Sequence, residues 1–261
     1  MTTNLLIIDP QYDFCDQEGS LYVTGAAADC GRIELLIANN MANINDILVT
    51  MDAHPDFHIG HPIWFKNSRG EHPNPFSQIR LDGTAFIDQN DTEWQVTCEH
   101  THDYTVNYLK IVKEHTVWPY HCVDGTIGSS LSINDGLQVW AKTQMAVPVL
   151  LRKGQSPFTE CYSAIKDVTG RLTDISETIL TSISKADKTI VCGEASSHCV
   201  AATVRDILRT SPEFAKKLII LSNCMSHVTG FRAVAENFFN QMREANVQVS
   251  TTDEISGNLR S

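Results

Sequence analysis

The chain of 261 residues carries 20 Lys and Arg against 31 Asp and Glu, a formal charge of −11. A chain of this length buries well over half of its unfolded surface, in one large core or two small ones, without disulfide or metal staples. With 42% hydrophobic and 20% charged residues it has the composition of a globular protein and not of a disordered one.

Taken from the N-terminus, Leu5-Leu6-Ile7-Ile8 ends at Asp9-Pro10 and predicts a strand buried on both faces. A helix is predicted over residues 28–42, where Ile33, Leu36, Ile37 and Met41 recur at helical spacing. Asp46-Ile47-Leu48-Val49-Thr50-Met51 is the next strand, ending at Asp52. Residues 55–117 then break the rhythm. They hold Pro55, Pro62, Pro73 and Pro75, several aromatics and only a weak helical pattern over 104–112, so they read as an insertion or lid on the sheet edge. Strand signals resume at 147–151, followed by polar Arg152-Lys153-Gly154. Others lie at 189–192, with a helix over 197–209, at 218–221, with a helix over 231–245, and at 247–249. Strands alternating with helices predict a parallel sheet covered on both faces, and thus one α/β domain over residues 1–261 with the insertion at 55–117.

The acidic balance argues against nucleic acid as a partner, because phosphate backbones demand clustered Lys and Arg. No apolar run approaches the roughly 18–20 residues that span a bilayer, so no membrane partner is expected. Met1 to Asp9 has no basic region and no small-residue cleavage site. Cys15, Cys30, Cys98, Cys122, Cys161, Cys192, Cys199 and Cys224 form neither CxxC pairs nor a secreted framework. These features set the expectation of a reduced, cytoplasmic protein. The sequence leaves the oligomeric state, a homo-oligomer included, open.

Ligands of open α/β sheets bind beyond the carboxyl ends of the strands. Asp9, Asp52, His54 and Lys153 all fall at such ends, and Cys199 lies a few residues after Gly193 near a helix start. A thiol there meets free backbone N–H groups and the positive end of a helix dipole, which favour thiolate and can hold an oxyanion. The competing reading is a small buried hydrophobe. Taken singly, Lys153 also reads as a solvated strand end and Asp9 as a turn residue. Together the three offer a nucleophile, a carboxylate base and a cation, as acyl transfer through a thiol requires. Eight of the ten histidines lie between His54 and His121. Asp52-Ala53-His54 sets two potential metal ligands on one side of an extended segment, and His121, His58, His61 and His72 compete to be the third.

Five ordered pieces carry a resemblance. They are Ile8-Asp9-Pro10-Gln11-Tyr12-Asp13-Phe14, Thr50-Met51-Asp52-Ala53-His54-Pro55, Trp118-Pro119-Tyr120-His121-Cys122 with Gly125-Thr126, Lys153-Gly154 with Tyr162-Ser163-Ala164, and Gly193-Glu194-Ala195-Ser196-Ser197-His198-Cys199-Val200. The chain resembles the isochorismatase-like cysteine hydrolases, and among them the nicotinamidases. The resemblance implies a three-layer α/β/α fold on a six-stranded, mostly parallel sheet. It implies a triad of Asp9, Lys153 and Cys199, with an oxyanion hole from the N–H groups of Ala195 and Cys199 and a cis peptide at Glu194–Ala195. It also implies one divalent metal ion on Asp52, His54 and His121, zinc first with iron or manganese as alternatives. Phe14 and Trp118 would sandwich the ring of a small amide, and nicotinamide would be cleaved to nicotinate and ammonia for NAD salvage. Three departures stand out: Ser196-Ser197 where the family often has Thr-Asp, Glu160-Cys161 where it often has Asp-Ser, and the longer insertion, whose Trp64, Phe65, Phe76 or Trp94 could reshape the pocket. They keep two alternatives in play: another small amide or carbamoyl substrate, and a non-catalytic metal- or partner-binding protein.

Overall fold

Leu5 and Ile7 enter one hydrophobic core while Leu6 and Ile8 enter another. That division follows from the two-residue period of a strand and places Thr3–Ile8 (β1) in the middle of three layers. The computed structural model describes residues 1–256. After β1 come a single helical turn, Tyr12–Cys15 (α1), the helix Ala26–Asn40 (α2) and the strand Asp46–Asp52 (β2). Short strands follow at Phe65–Lys66 (β3), Gln78–Asp82 (β4), Ala85–Ile87 (β5) and Glu93–Val96 (β6). The helix His102–Val112 (α3) leads to the strand Glu114–Thr116 (β7). The main alternation then resumes with Asn134–Gln144 (α4), Val149–Lys153 (β8), Ser176–Lys185 (α5), Lys188–Gly193 (β9) and Cys199–Thr210 (α6). It closes with Leu218–Leu221 (β10), Arg232–Glu244 (α7), Gln248–Ser250 (β11) and Thr252–Ser256 (α8).

The main sheet has the order β11-β10-β9-β1-β2-β8, and every pair in it is parallel. Side chains of α2, α4 and α8 pack one face, and those of α5, α6 and α7 pack the other. This is the expected α/β/α architecture, with a sheet that is wholly parallel.

Residues 55–117 build a second sheet, antiparallel throughout, in the order β3-β6-β5-β4-β7. It has its own core of Trp64, Phe65, Ile79, Phe86, Trp94 and Tyr108, with α3 packed against it. Trp64 Nε1 donates to Thr105 Oγ1 at 3.0 Å. Trp64, Phe65 and Trp94 are therefore structural, whereas Phe76 sets its ring 5.8 Å from that of Trp118, outside the residues that line the pocket. The sheet is invisible in the sequence because its strands are two to five residues long, too short for alternation to register.

Four helices also escape the sequence reading: α1 and α8 are only four and five residues long, α4 buries only Gly136, Leu137 and Trp140, and α5 only Ser176, Ile179 and Ile183. β8 runs two residues later than expected. Its pairing with β2 continues through Met51↔Arg152 and Asp52↔Lys153, which makes Lys153 the last residue of the strand rather than a loop residue. Among the described residues, no helix is long and apolar enough to cross a membrane. All eight cysteines are free thiols, and seven of them are buried.

Candidate active site and metal centre

The chain lays β2 and β8 to one side of β1, then crosses back to place β9 on the other. The carboxyl ends of β1 and β9 thus flank a topological switch point, where open α/β sheets form their crevice. Asp9 follows β1, Asp52 ends β2, Lys153 ends β8, and the turn from Gly193 to Cys199 follows β9. The four neighbouring strands bring together residues that are 190 positions apart.

Lys153 is the hub. Its Nζ lies 3.0 Å from Asp9 Oδ2 and 3.2 Å from Asp52 Oδ1, donates to the Cys161 carbonyl at 2.8 Å, and stands 3.7 Å from Cys199 Sγ. Burial opposes its charge, but Asp52 and Asp9 together hold its pKa well above the usual lysine value. Asp9 is wholly buried, and burial raises its carboxyl despite the opposing Lys153. Thr50 Oγ1 donates to Asp9 Oδ1 at 2.7 Å and fixes the carboxyl's orientation. Burial also pushes the Cys199 thiol well above its ordinary value, more than Lys153 can offset. Burial thus works against the thiolate that the helix N-terminus favours, and the thiol faces a carboxyl whose own proton affinity burial raises, an arrangement suited to passing a proton to Asp9.

The second cluster is built by backbone bonds. His54 N donates to the Cys122 carbonyl at 3.1 Å and Asp124 N to the His54 carbonyl at 3.0 Å, tying the strand end to the loop that carries His121. Asp13 Oδ2 accepts the Cys122 N–H at 2.7 Å, which holds the same loop from the other side. Gln11 bridges its side-chain amide to both backbone groups of Asp52, each at 2.7 Å. A side chain at position 154 would sit 2.8 Å from Asp52 Oδ1 and 2.9 Å from His54 Cε1, so the cluster requires Gly154.

His54 Nε2 lies 3.2 Å and His121 Nε2 3.6 Å from Asp52 Oδ2, close to the edge of about 3.3 Å expected between ligands 2.0–2.1 Å from a tetrahedral ion. His54 Nδ1 faces the Gly154 carbonyl at 3.2 Å and His121 Nδ1 the Pro119 carbonyl at 2.8 Å. Each Nδ1 is thereby placed to donate to a carbonyl, which leaves each Nε2 facing Asp52 as the atom that would ligate an ion, the usual outer control of a histidine ligand. Burial alone would raise Asp52, but His54 and Lys153 hold it well below the usual carboxylate range. A carboxylate with two imidazoles in this disposition fits a divalent ion.

The competing histidines separate on geometry. His58 Nδ1 accepts the Gly60 N–H at 3.0 Å, so its Nε2 bears the proton and donates to the Thr159 carbonyl at 3.2 Å. No lone pair is left for an ion, although His58 groups with His54 and Glu160 by distance. His72 is exposed and bonds the Phe65 carbonyl. His61 is buried beside the cluster, its pKa lowered to about 3 by burial and by His121.

Cys199 opens α6, and the peptide Glu194–Ala195 is cis. The N–H groups of Ala195 and Cys199 have no hydrogen-bond partner among the described residues. They border a small, largely apolar pocket lined by Phe14, Trp118, Tyr162, His198 and Cys199, with Asp52, His121 and Glu160 also on its wall. Trp118 Nε1 donates to Tyr162 OH at 2.9 Å, which locks the indole edge-on to that ring. Gln11, Asp13, Thr50, Glu160 and His198 had no role assigned from the sequence. Gln11 and Asp13 lie inside the first motif, and their polar side chains just after a buried strand were the available signal.

Burial lowers His198 to about 4 and lowers His115 as well. Both rings are neutral in the fold and take up a proton on unfolding below the ordinary histidine value of 6.5. The unfolded state then binds more protons, so their contribution to stability is complete above pH 6.5 and drains away as the pH falls toward 4. Stability should decline across that window by up to about 1.4 kcal/mol per pH unit from each ring, read as a falling thermal unfolding midpoint. His198→Gln should flatten the decline, and an unchanged slope in that variant would remove His198 from the account.

No family model matches the chain. The nicotinamidase of Escherichia coli (strain K12) is 26% identical over 205 residues, covering 78% of this chain and 76% of that protein. The structure of the yeast nicotinamidase superposes with a TM-score of 0.66 at 23% identity, covering 96% of this chain and 99% of that one. The chain resembles the nicotinamidases. A pyrazinamidase of Pyrococcus horikoshii, solved in complex with zinc, superposes with a TM-score of 0.59 at 17% identity over 96% of this chain and 99% of its own. The main sheet is accordingly that of the isochorismatase-like hydrolase fold, and the nicotinamidase-like motifs lie at its carboxyl edge.

Proposed function

We propose that the chain is an amidohydrolase that converts nicotinamide to nicotinate and ammonia through a thioester on Cys199, in the service of NAD salvage. One observation carries this reading: a single pocket is walled by Cys199 and Ala195 and also by Asp52 and His121 of the metal-binding set.

In this reading the ring of the amide lies between Phe14 and Trp118, with its carboxamide beside Cys199. Asp9 takes the thiol proton as sulfur attacks the amide carbon, and the N–H groups of Ala195 and Cys199 receive the developing oxyanion. Asp9 returns the proton to the amide nitrogen, ammonia leaves, and a thioester remains. Water then attacks the thioester, giving up a proton to Asp9, and the Cys199 thiol is restored as the acid departs. Lys153 stays charged throughout and keeps Asp9 and Asp52 in place. A divalent ion, zinc first with iron or manganese as alternatives, would be held by Asp52, His54 and His121, and when bound supplies a Lewis-acid contact that orients a ring nitrogen.

Purified, metal-loaded protein is expected to release ammonia from nicotinamide, to lose most of that activity on chelation, and to regain it when zinc is restored. Absence of turnover by the loaded protein, with Cys199 still alkylated by an electrophile, would move the substrate to another small amide.

A further inference from the structure

Glu194, just before the turn that carries the Ala195 N–H, is buried, and so is Asp29 on α2. Glu194 Oε2 accepts the Ser226 N–H at 3.1 Å, whereas Oε1 is closed to solvent with no donor to bind. The Asp29 carboxyl lies within hydrogen-bond reach of Glu194. Two carboxylates that close in a buried site do not both stay charged, and the lower-energy arrangement shares one proton between them. Asp29 is the member whose charge is supported. Its Oδ1 pairs with Arg32 Nη2 at 2.5 Å and its Oδ2 accepts the Ser226 hydroxyl at 2.5 Å. Arg32 is committed there and to the Asn223 carbonyl. The titratable groups that face Glu194 are Asp29 and the thiols of Cys15, Cys30, Cys192 and Cys224, acids all. A proton on Oε1 turns an orphaned acceptor into a donor that meets an acceptor.

Ser226 joins this pair to the turn. Its N–H binds Glu194, its hydroxyl binds Asp29, and its carbonyl accepts both the N–H and the hydroxyl of Ser196, each at 2.7 Å. Val228 N donates to Ser197 Oγ at 3.1 Å, and Gly193 N to the Cys224 carbonyl at 2.9 Å. Residues 193–197 are thus laced to the loop after β10, and that loop is anchored to α2 through the two carboxyls. The N–H groups of Ala195 and Cys199 belong to this turn, and oxyanion donors are effective only when held in place before charge develops.

Resting on the cysteine-hydrolase reading, we infer that Glu194 keeps its proton and donates it to Asp29, and that this acid–carboxylate pair, through Ser226, positions the turn bearing the oxyanion N–H groups. Neither carboxyl takes part in the proton transfers of the reaction; both act through the turn.

Glu194→Leu keeps the bulk but makes neither bond. It should lower kcat by about 10–100-fold, the scale of a displacement of up to about 1 Å, with KM little changed. Glu194→Gln retains an acceptor for the Ser226 N–H and a donor for Asp29, so it should recover most of that loss. The infrared difference between wild type and Glu194→Gln at neutral pH should contain the C=O stretch of a buried carboxylic acid. Amide hydrogen exchange over residues 194–199 should quicken in Glu194→Leu and not in Glu194→Gln. A Glu194→Leu protein with wild-type kcat and exchange would overturn the inference, as would a difference spectrum in which the band lost from the wild type is that of a carboxylate. If Glu194→Leu does not fold, Ser226→Ala, which removes only the hydroxyl bound to Asp29, takes its place with the same expectations. A wild-type protein that turns over no nicotinamide would refute the proposed substrate. The infrared and exchange comparisons need no substrate and would still decide the pair.

Discussion

Replacing Cys199 by alanine should lower ammonia release from nicotinamide by about 10⁴–10⁶-fold, the scale on which hydrolases lose their nucleophile. The fold should survive, because the side chain belongs to a large core cluster on that face of the sheet and the change removes one sulfur atom. Cys199→Ser should be nearly as inactive. Asp9 can accept a thiol proton, since burial has raised its carboxyl, but a hydroxyl is far less acidic and yields its proton much less readily. The intermediate offers a sharper readout than the rate. Hydroxylamine added to wild-type turnover should divert the thioester to a hydroxamate, and the alanine variant should form none. A Cys199→Ala protein that still releases ammonia at near wild-type rate would remove the proposed nucleophile and return the free N–H groups of Ala195 and Cys199 to the status of loop geometry.

The main sheet was legible because buried parallel strands announce themselves as continuous apolar runs, as in Leu5 to Ile8 and Leu218 to Leu221, and because β1 and β9 pair residue by residue along their length. β8 was less so. It is an edge strand with Val149, Leu150 and Arg152 exposed, so its polar end was read as loop and Lys153 was placed beyond the strand. The insertion was opaque for a different reason. Its stability comes from aromatics such as Trp64, Phe65 and Trp94 that meet only in three dimensions, and its turns are set by side chains such as Asp88, which accepts N–H bonds from Asn90, Thr92 and Trp94.

The site divides in the same way. Residues at strand ends, Asp9, Asp52 and Lys153, follow from topology alone, because a parallel sheet sends all of its carboxyl ends to one edge. His121 does not, since it arrives through a loop pinned by backbone bonds with His54 and by the Asp13 carboxylate, which accepts the Cys122 N–H. The protonation logic is the part no residue string carries. Whether His58 or His121 can offer a lone pair depends on whether Nδ1 meets an N–H or a carbonyl, and that is a property of the folded backbone.

Lys153→Met should be the most destabilising single substitution in the site as well as an inactivating one. The ammonium pairs with both Asp9 and Asp52 in a region closed to solvent, at 3.0 and 3.2 Å. Methionine fills most of the volume but strands two carboxyls, and breaking a buried ion pair from one side costs about 3–5 kcal/mol. With an entropy of unfolding typical of this chain length, that corresponds to a fall of roughly 10 °C in the unfolding midpoint. The sign of the pH dependence is fixed by the shifts. Lys153 has a raised pKa, so its stabilisation is complete below the ordinary lysine value of 10.5 and is lost only as the pH climbs through the folded value. Asp52, held low, contributes above the ordinary aspartate value of 3.8 and loses that contribution as acid protonates it. The gap between wild type and Lys153→Met should therefore hold up to about pH 10 and narrow as the pH falls, starting above the ordinary carboxylate value of 3.8, because the stranded carboxyls, Asp9 already raised by burial, have lost the charge that held them down. Thermal melts across that range separate the outcomes. A gap that persists unchanged in acid would mean that Lys153 acts through packing, whereas one that closes there identifies the two carboxylates as what Lys153 holds.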